Sequence, residues 1–247
     1  MIAAIIRKEL HMLFISPLAW LLLALIQAVS AWVFLVRLDA FLGIQPQLLQ
    51  IANPPGITEV IVAPVFMIAA VLLLVITPLL SMRLLAEERR NHTLTLLMSA
   101  PVSIADIVLG KFLSLMLFFL AVIILLVTLC FSLRTGGALD FGLLLSNSLG
   151  LFLLAACFSA LGLYLSSLTA QPVIAAAGSL GILLGLWLID LASDTTAGWL
   201  HYFSLLKHFG YFNQGPIDTF SMAYFILFTV TFLVLTIRRL DGERLHG

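Results

Sequence analysis

Charge is scarce in this chain. Of its 247 residues only 10% are Asp, Glu, Lys or Arg, while 62% are apolar and the mean hydropathy is +1.19. A soluble domain has roughly 25% charged and 45–50% apolar residues, so an ordinary soluble domain is excluded and a polytopic membrane protein remains. An excess of one sign is also missing: twelve basic residues cancel twelve acidic ones, which argues against nucleic acid or an acidic substrate as partner. Cysteine occurs twice, at Cys130 and Cys157. Each lies in an apolar run without His or Cys at ligand spacing, so both read as small buried hydrophobes rather than a disulfide or metal pair. No Gly-x-x-x-x-Gly-Lys-[Ser/Thr] phosphate loop is present, since Gly110-Lys111 lacks the upstream Gly and is followed by Phe112. The apolar runs carry no ionisable group at their centres, with Asp190 only at a margin, whereas ion-coupled carriers usually need one. Paired catalytic groups are missing too, so no catalytic residue is expected. His201 and His208, seven residues apart with no carboxylate between them, are a weak metal signal, and no metal site is assigned.

What the chain does have is length in its apolar runs. A span needs about 17–25 apolar residues, and six candidates occur at 18–36, 60–82, 112–133, 141–168, 172–189 and 220–237. The first resembles a secretory signal, with Arg7 and Lys8 ahead of it and Ala28-Val29-Ser30-Ala31 imitating a small-residue cleavage site, but it is longer than a signal core and five more runs follow, so an uncleaved helix is expected. With six spans both termini share one side. Arg7, Lys8, Arg83, Arg89, Arg90, Lys111, Arg238, Arg239 and Arg244 fall there, against Arg37, Arg134 and Lys207 opposite, and the positive-inside rule places the termini in the cytoplasm.

Residues 2–15 mix Arg7, Lys8, Glu9 and His11 with Ile5, Ile6, Leu10, Leu13 and Phe14 and end at Ser16-Pro17. At helical spacing this predicts an amphipathic helix with its charged face outward, suited to the headgroup plane; a plain extension of the first span is the alternative. The segment 83–110 interrupts the apolar chain with Glu87-Glu88-Arg89-Arg90. One Arg or Asp at a span centre costs about 2.5–3.5 kcal/mol, so four adjacent charges stay out of lipid. Thr93 then caps a short helix, 94–98, whose Leu94, Leu97 and Met98 have no lipid to face and need a protein partner. Pro101 stops it, and Ser103 with Asp106 forms a capping box that restarts a helix. Lys111 is expected at the membrane boundary, reaching headgroup phosphates. A solvated loop that only fixes topology is the plainer alternative.

These residues resemble a family. Glu87-Glu88-Arg89, Thr93-Leu94, Leu96-Leu97, Pro101-Val102-Ser103 and Gly110-Lys111 are similar to the signature of type-2 ABC exporter permeases (type V fold), as Arg7-Lys8-Glu9-Leu10 and Ser16-Pro17-Leu18 are to that family's elbow helix. The chain departs at His92, where the family usually has Gly, and at Thr95, where it usually has Glu. Its shortness and His208-Phe209, Phe212 and Gly215-Pro216-Ile217-Asp218 look most like the gliding-motility and nitrous-oxide-reductase maturation permeases. The resemblance implies an all-α permease domain over 1–247, with an elbow helix at 1–17 and a cytoplasmic coupling helix between spans two and three. It implies that Glu87, Glu88, Arg89, Arg90, Thr93, Leu94, Leu97, Met98 and Pro101 dock a separate ATPase subunit, present in two copies and holding ATP and magnesium that this chain does not bind. It further implies a second permease chain, as homodimer or related heterodimer, and a bacterial inner-membrane location.

Between spans five and six, residues 190–219 form an outer cap, read as interfacial or re-entrant helices or as a plain aromatic belt. Trp199, Tyr202, Phe209 and Phe212 share one side; His201, Ser204, Lys207, His208 and Tyr211 share the other. The cap is a candidate gate or a docking surface for an extracytoplasmic protein. Gly150, Ala155, Ser159, Gly162 and Ser166, and Gly178, Gly181 and Gly185, form small-residue faces read mainly as intrachain packing, with dimer contact second. Gln27, Ser30 and Asn147 are polar at some depth and are pathway candidates, with helix-to-helix hydrogen bonding as the alternative. The expected function is ATP-driven export. The alternatives are a mechanotransmitter acting on an outer partner and, from another class, a secondary carrier or channel needing no ATPase.

Overall fold

The computed structural model describes residues 2–48, 56–91, 93, 102–135, 139–193, 204–215 and 218–246. Among them are eight α-helices and no strand: α1 (Ile2–Ile15), α2 (Pro17–Leu48), α3 (Ala63–Arg90), α4 (Ile104–Phe131), α5 (Phe141–Leu168), α6 (Pro172–Ser193), α7 (Leu205–Asn213) and α8 (Thr219–His246).

Local chemistry sets the boundaries. Pro17 starts α2, where a missing N–H is harmless; the Ser16 hydroxyl accepts from Leu18 N at 3.4 Å, and Trp20 Nε1 donates to Phe14 O at 2.8 Å across the break. A π turn at Thr58–Val62 leads into α3, whose second residue, Pro64, has no N–H to give. Ser103 accepts from Asp106 N at 3.0 Å and so caps α4, as its spacing predicts. Asp140 caps α5 through Gly142 N and Leu143 N, at 2.8 and 3.2 Å. Its own N–H donates to Thr58 Oγ1 at 2.9 Å, tying the starts of α5 and α3 together.

Among the described residues five stretches are long and apolar enough to cross a membrane: Pro17–Ile44, Thr58–Arg90, Ile104–Arg134, Phe141–Leu168 and Thr219–Arg244. The fifth expected span, 172–189, lies in α6 and is not among these five; its described apolar part, Pro172–Leu188, has at most 17 residues, within a helix of 22.

Helices α3 and α5 form the centre, with 61% and 67% of their apolar windows buried, against 28% for α2 and 22% for α8. Helix α5 packs on α3, α4, α6, α7 and α8, while α1 lies mainly on α4. Close approach depends on missing side chains: a Cβ on Gly162 would collide with Ser81 of α3, one on Gly150 would lie 2.7 Å from Phe212 Cβ, and one on Gly110 would lie 2.8 Å from Ile5 Cγ2. The small-residue face of α5 is therefore intrachain packing. That of α6 is not: among the described residues nothing lies within 4 Å of a Cβ built on Gly178, Gly181 or Gly185, and Val173, Ile174, Ile182 and Leu188 are exposed.

Candidate functional site

Charges gather where α1, the end of α3, the start of α4 and the end of α8 meet. Lys111 lies two turns into α4 and is only 1% exposed. Its Nζ is 2.8 Å from Glu9 Oε1 and 2.8 Å from Glu88 Oε1. Lys8 Nζ stands 3.8 Å from Glu88 Oε1. Arg89 Nη2 meets Glu243 Oε2 of α8 at 2.7 Å, and Arg239 Nε stands 3.4 Å from Glu243 Oε1. The Lys111 ammonium is thus paired inside the protein rather than extended toward headgroup phosphates. Gly110 lets α1 settle onto α4, and the next residue drives its ammonium between two carboxylates. Glu9 is correspondingly turned inward, the one buried residue of α1, while Arg7 and Lys8 are exposed as expected. A buried charge is tolerable only when paired, and here the pairing joins α1, α3 and α4.

Just upstream, α3 is opened twice. Pro78 lies inside the helix and removes one rung of its ladder. At the next turn the Ser166 hydroxyl of α5 accepts from Leu85 N and Ala86 N at 3.2 and 3.0 Å and donates to Met82 O at 3.0 Å. Met82 O and Ala86 N are the partners of one helical rung, so a foreign side chain is inserted there, a recognised cause of bending.

The helix ends at Asn91, whose N–H donates to Glu87 O at 2.9 Å, and Thr93 Oγ1 donates to Glu88 O at 3.2 Å. Glu87 and Arg90 are exposed. Leu94, Leu97, Met98 and Pro101 lie outside the described residues, as do Trp199, Tyr202 and His201 of the cap. A cavity of about 640 Å³ opens between α1, the start of α2 and the last three turns of α3.

At the opposite end, α7 seats Phe209 and Phe212, both fully buried, over Gly150, and Ser146 Oγ donates to Phe212 O at 2.9 Å. Tyr211 is exposed. Ser204 and His208, expected on the outward side, are buried. Ser204 caps α7 by accepting from Lys207 N at 3.2 Å. His208 Nδ1 is 2.9 Å from Ser221 Oγ, which donates to Asp218 Oδ2 at 2.7 Å, and the ring stacks on Tyr224 at 4.6 Å. The Ser221 hydroxyl bond outweighs burial and, with the N–H groups of Ser221 and Phe220 and the nearby His208, holds the Asp218 carboxyl below its ordinary 3.8. Among the described residues no three His, Cys, Asp or Glu side chains cluster as metal ligands.

The pathway candidates are not brought together. Gln27 and Ser30 lie on α2, whose main neighbours are α1, α3, α4 and the π turn, whereas Asn147 lies on α5. Ser30 is buried, and Asn147 Nδ2 donates to Leu143 O of its own helix at 2.9 Å. Ser221 and Glu243 are the site residues that the sequence reading does not name. Glu9 is read there as part of the elbow helix, Lys111 at the membrane boundary and Ser166 in a small-residue face, and their joint contacts are not foreseen.

A comparison with curated proteins finds no match. A family model described as ABC-2 family transporter protein matches residues 3–243, nearly the whole chain, including both ends of the charged network and both ends of the α3–α5 centre. With five apolar helices long enough to cross a bilayer, this is a multi-pass membrane protein, and it belongs to the ABC-2 family of transporter proteins, as a permease component.

Proposed function

We propose that this chain is the membrane subunit of an ATP-driven exporter of the bacterial inner membrane, with six spans and both termini cytoplasmic. Two copies of a separate ATPase, which hold ATP and magnesium, dock on the segment after α3. The docking set is Glu87, Glu88, Arg89, Arg90, Thr93, Leu94, Leu97, Met98 and Pro101, with the helix at 94–98 as the coupling helix and α1 as the elbow helix. The chain contributes no catalytic residue; its work is mechanical.

The observation that carries this reading is the buried Glu9–Lys111–Glu88 link beside Arg89–Glu243. A pull on the end of α3 acts at once on α1, α4 and α8, because separating charges in a poorly solvated site costs far more than in water. Family membership supports the ATPase partner, since permeases of this kind generally work with one. The open glycine face of α6 fits a second permease chain, identical or related, because small residues let helices in lipid approach closely.

Copurification with a co-expressed candidate ABC ATPase subunit tests the assignment. Glu87→Ala combined with Leu97→Ala should lose the ATPase, or leave its hydrolysis insensitive to the permease. Unchanged assembly and unchanged hydrolysis would remove the docking assignment.

A second reading places the output at the outer face, moving a partner protein rather than bulky cargo. The specific observation favouring it is that α7 is locked onto α5 by Phe209, Phe212 and Ser146 while Tyr211 stays exposed. Crosslinking from Tyr211 to an extracytoplasmic protein would separate the two.

A further inference from the structure

The cavity of about 640 Å³ at the charged end has a mixed lining. Met12, Leu13, Leu18, Leu79, Leu80 and Leu84 supply apolar surface. Among the described residues that line it, three are basic, Lys8, Arg83 and Lys111, and three acidic, Glu9, Glu87 and Glu88, so these charges cancel. Lys111, Glu9 and Glu88 satisfy one another. Arg83 and Glu87 are different: both are exposed and, among the described residues, neither makes an ion pair.

These two stand one turn apart on the same face of α3, about 5–6 Å between Cβ atoms. A basic residue four positions before an acidic one is the poorer orientation for a helical pair, which fits their standing apart. The result is a fixed cation and a fixed anion side by side in a cavity that also has apolar surface. Trp20, 60% exposed beside this end of the bundle, is the kind of side chain found at headgroup depth.

We propose that this cavity binds a phospholipid with a zwitterionic, primary-ammonium headgroup, of the phosphatidylethanolamine class. The phosphate takes the Arg83 guanidinium, a geometry suited to paired charge-assisted hydrogen bonds. The ammonium donates to the Glu87 carboxylate, and the first part of the acyl chains covers the apolar surface. The two-carbon link of the headgroup spans one helical turn of side-chain separation. A phosphatidylcholine has no ammonium N–H to donate, and phosphatidylglycerol offers Glu87 only neutral hydroxyl donors, a weaker match to a carboxylate than an ammonium. A free soluble headgroup would leave the apolar surface uncovered. Glu87 belongs to the proposed docking set as well, so lipid and ATPase would share it; Arg83 and Leu79 lie outside that set, and a test on them separates the lipid site from the docking assignment.

Native mass spectrometry of the full chain tests it. The protein is released from nanodiscs of phosphatidylglycerol mixed in equal parts with either phosphatidylethanolamine or phosphatidylcholine. Expected is one retained phosphatidylethanolamine per chain and little retained phosphatidylcholine. Arg83→Gln should lower that retention about tenfold, the equivalent of one charge-assisted contact, and Leu79→Trp, which fills the cavity, should abolish it. Arg238→Gln, an exposed basic residue on α8 outside the cavity, should leave it unchanged. Equal retention of the two zwitterionic lipids would overturn the proposal, as would retention indifferent to Arg83→Gln. Full displacement by soluble glycerophosphoethanolamine would overturn the lipid in favour of the free headgroup. A disulfide between two copies carrying Met12→Cys, formed with lipid absent from the mass spectrum, would show a second chain in its place.

Discussion

Lys111 carries three N–H donors and meets two carboxylates at 2.8 Å, so its removal leaves Glu9 and Glu88 facing one another with little water between them. Lys111→Met should destabilise the protein by about 3–5 kcal/mol, the usual cost of stranding a buried charge. The double variant Glu9→Gln with Lys111→Met should recover part of it. Unfolding in detergent measures both, and a cost under about 1 kcal/mol would instead fit an exposed lysine on lipid phosphates. Asp218 offers a pH test at the other end. Its folded carboxyl titrates below 3.8, so the ionised form is the one the fold favours. The stability it adds is full above the unfolded value and is lost as pH falls through the lower folded value. The α7–α8 junction, read from a fluorophore at Tyr211→Cys, should therefore be unchanged from neutral pH to about 5 and loosen only in stronger acid. Asp218→Asn should reproduce the loosening at neutral pH; a transition near neutrality that survives Asp218→Asn would assign the behaviour to another group.

Elements divide into those whose cause is local and those whose cause is a neighbour. The break at Ser16-Pro17 and the Ser103 cap were legible because proline and a capping hydroxyl act within a few residues. The long spans were legible because apolar length is additive along the chain. The Glu9–Lys111 pair was not: its partners are 102 positions apart, and no periodicity links them. His208 was assigned to the wet side because a helical wheel supposes one packed face, whereas the nine-residue α7 is covered by both α5 and α8. The glycines show the same limit, since a small-residue stripe looks alike whether the neighbour is in the chain or outside it. Substitution separates the cases. Gly162→Leu would drive a side chain into Ser81 across the α3–α5 contact and should cost about 1–3 kcal/mol or more from overpacking, seen as poor yield and early unfolding. Gly181→Leu meets open space among the described residues and should leave unfolding unchanged while lowering the dimer fraction in chemical crosslinking. Equal effects of the two would place α6 inside the monomer's own packing.

At the scale of the whole molecule, the contacts sort into two ends joined by α3 and α5. One end holds the ion pairs of α1, α3, α4 and α8; the other holds Thr58 on Asp140 and α7 on Gly150 and Ser146. A displacement of Glu87–Arg90 reaches the far end only through α3 and whatever α3 grips. Ser166 grips it at the rung between Met82 and Ala86, one turn before the charges. That insertion has two consequences: it weakens the rung of α3 and it ties α3 to α5, the helix that carries α7. Ser166→Ala removes the tie and lets Ala86 N return to Met82 O. Three hydrogen bonds of the hydroxyl are lost and one rung is regained, at roughly 1 kcal/mol each, so stability should fall by about 2 kcal/mol with the fold retained. Transmission should not survive as well. In a reconstituted complex with the docked ATPase, a fluorophore at Tyr211→Cys should respond to ATP in the parent. Adding Ser166→Ala should reduce that response several-fold, with ATPase binding and basal hydrolysis retained. A response of equal size would show that α3 moves the far end without the Ser166 tie, through its other contacts or through Arg89 and α8.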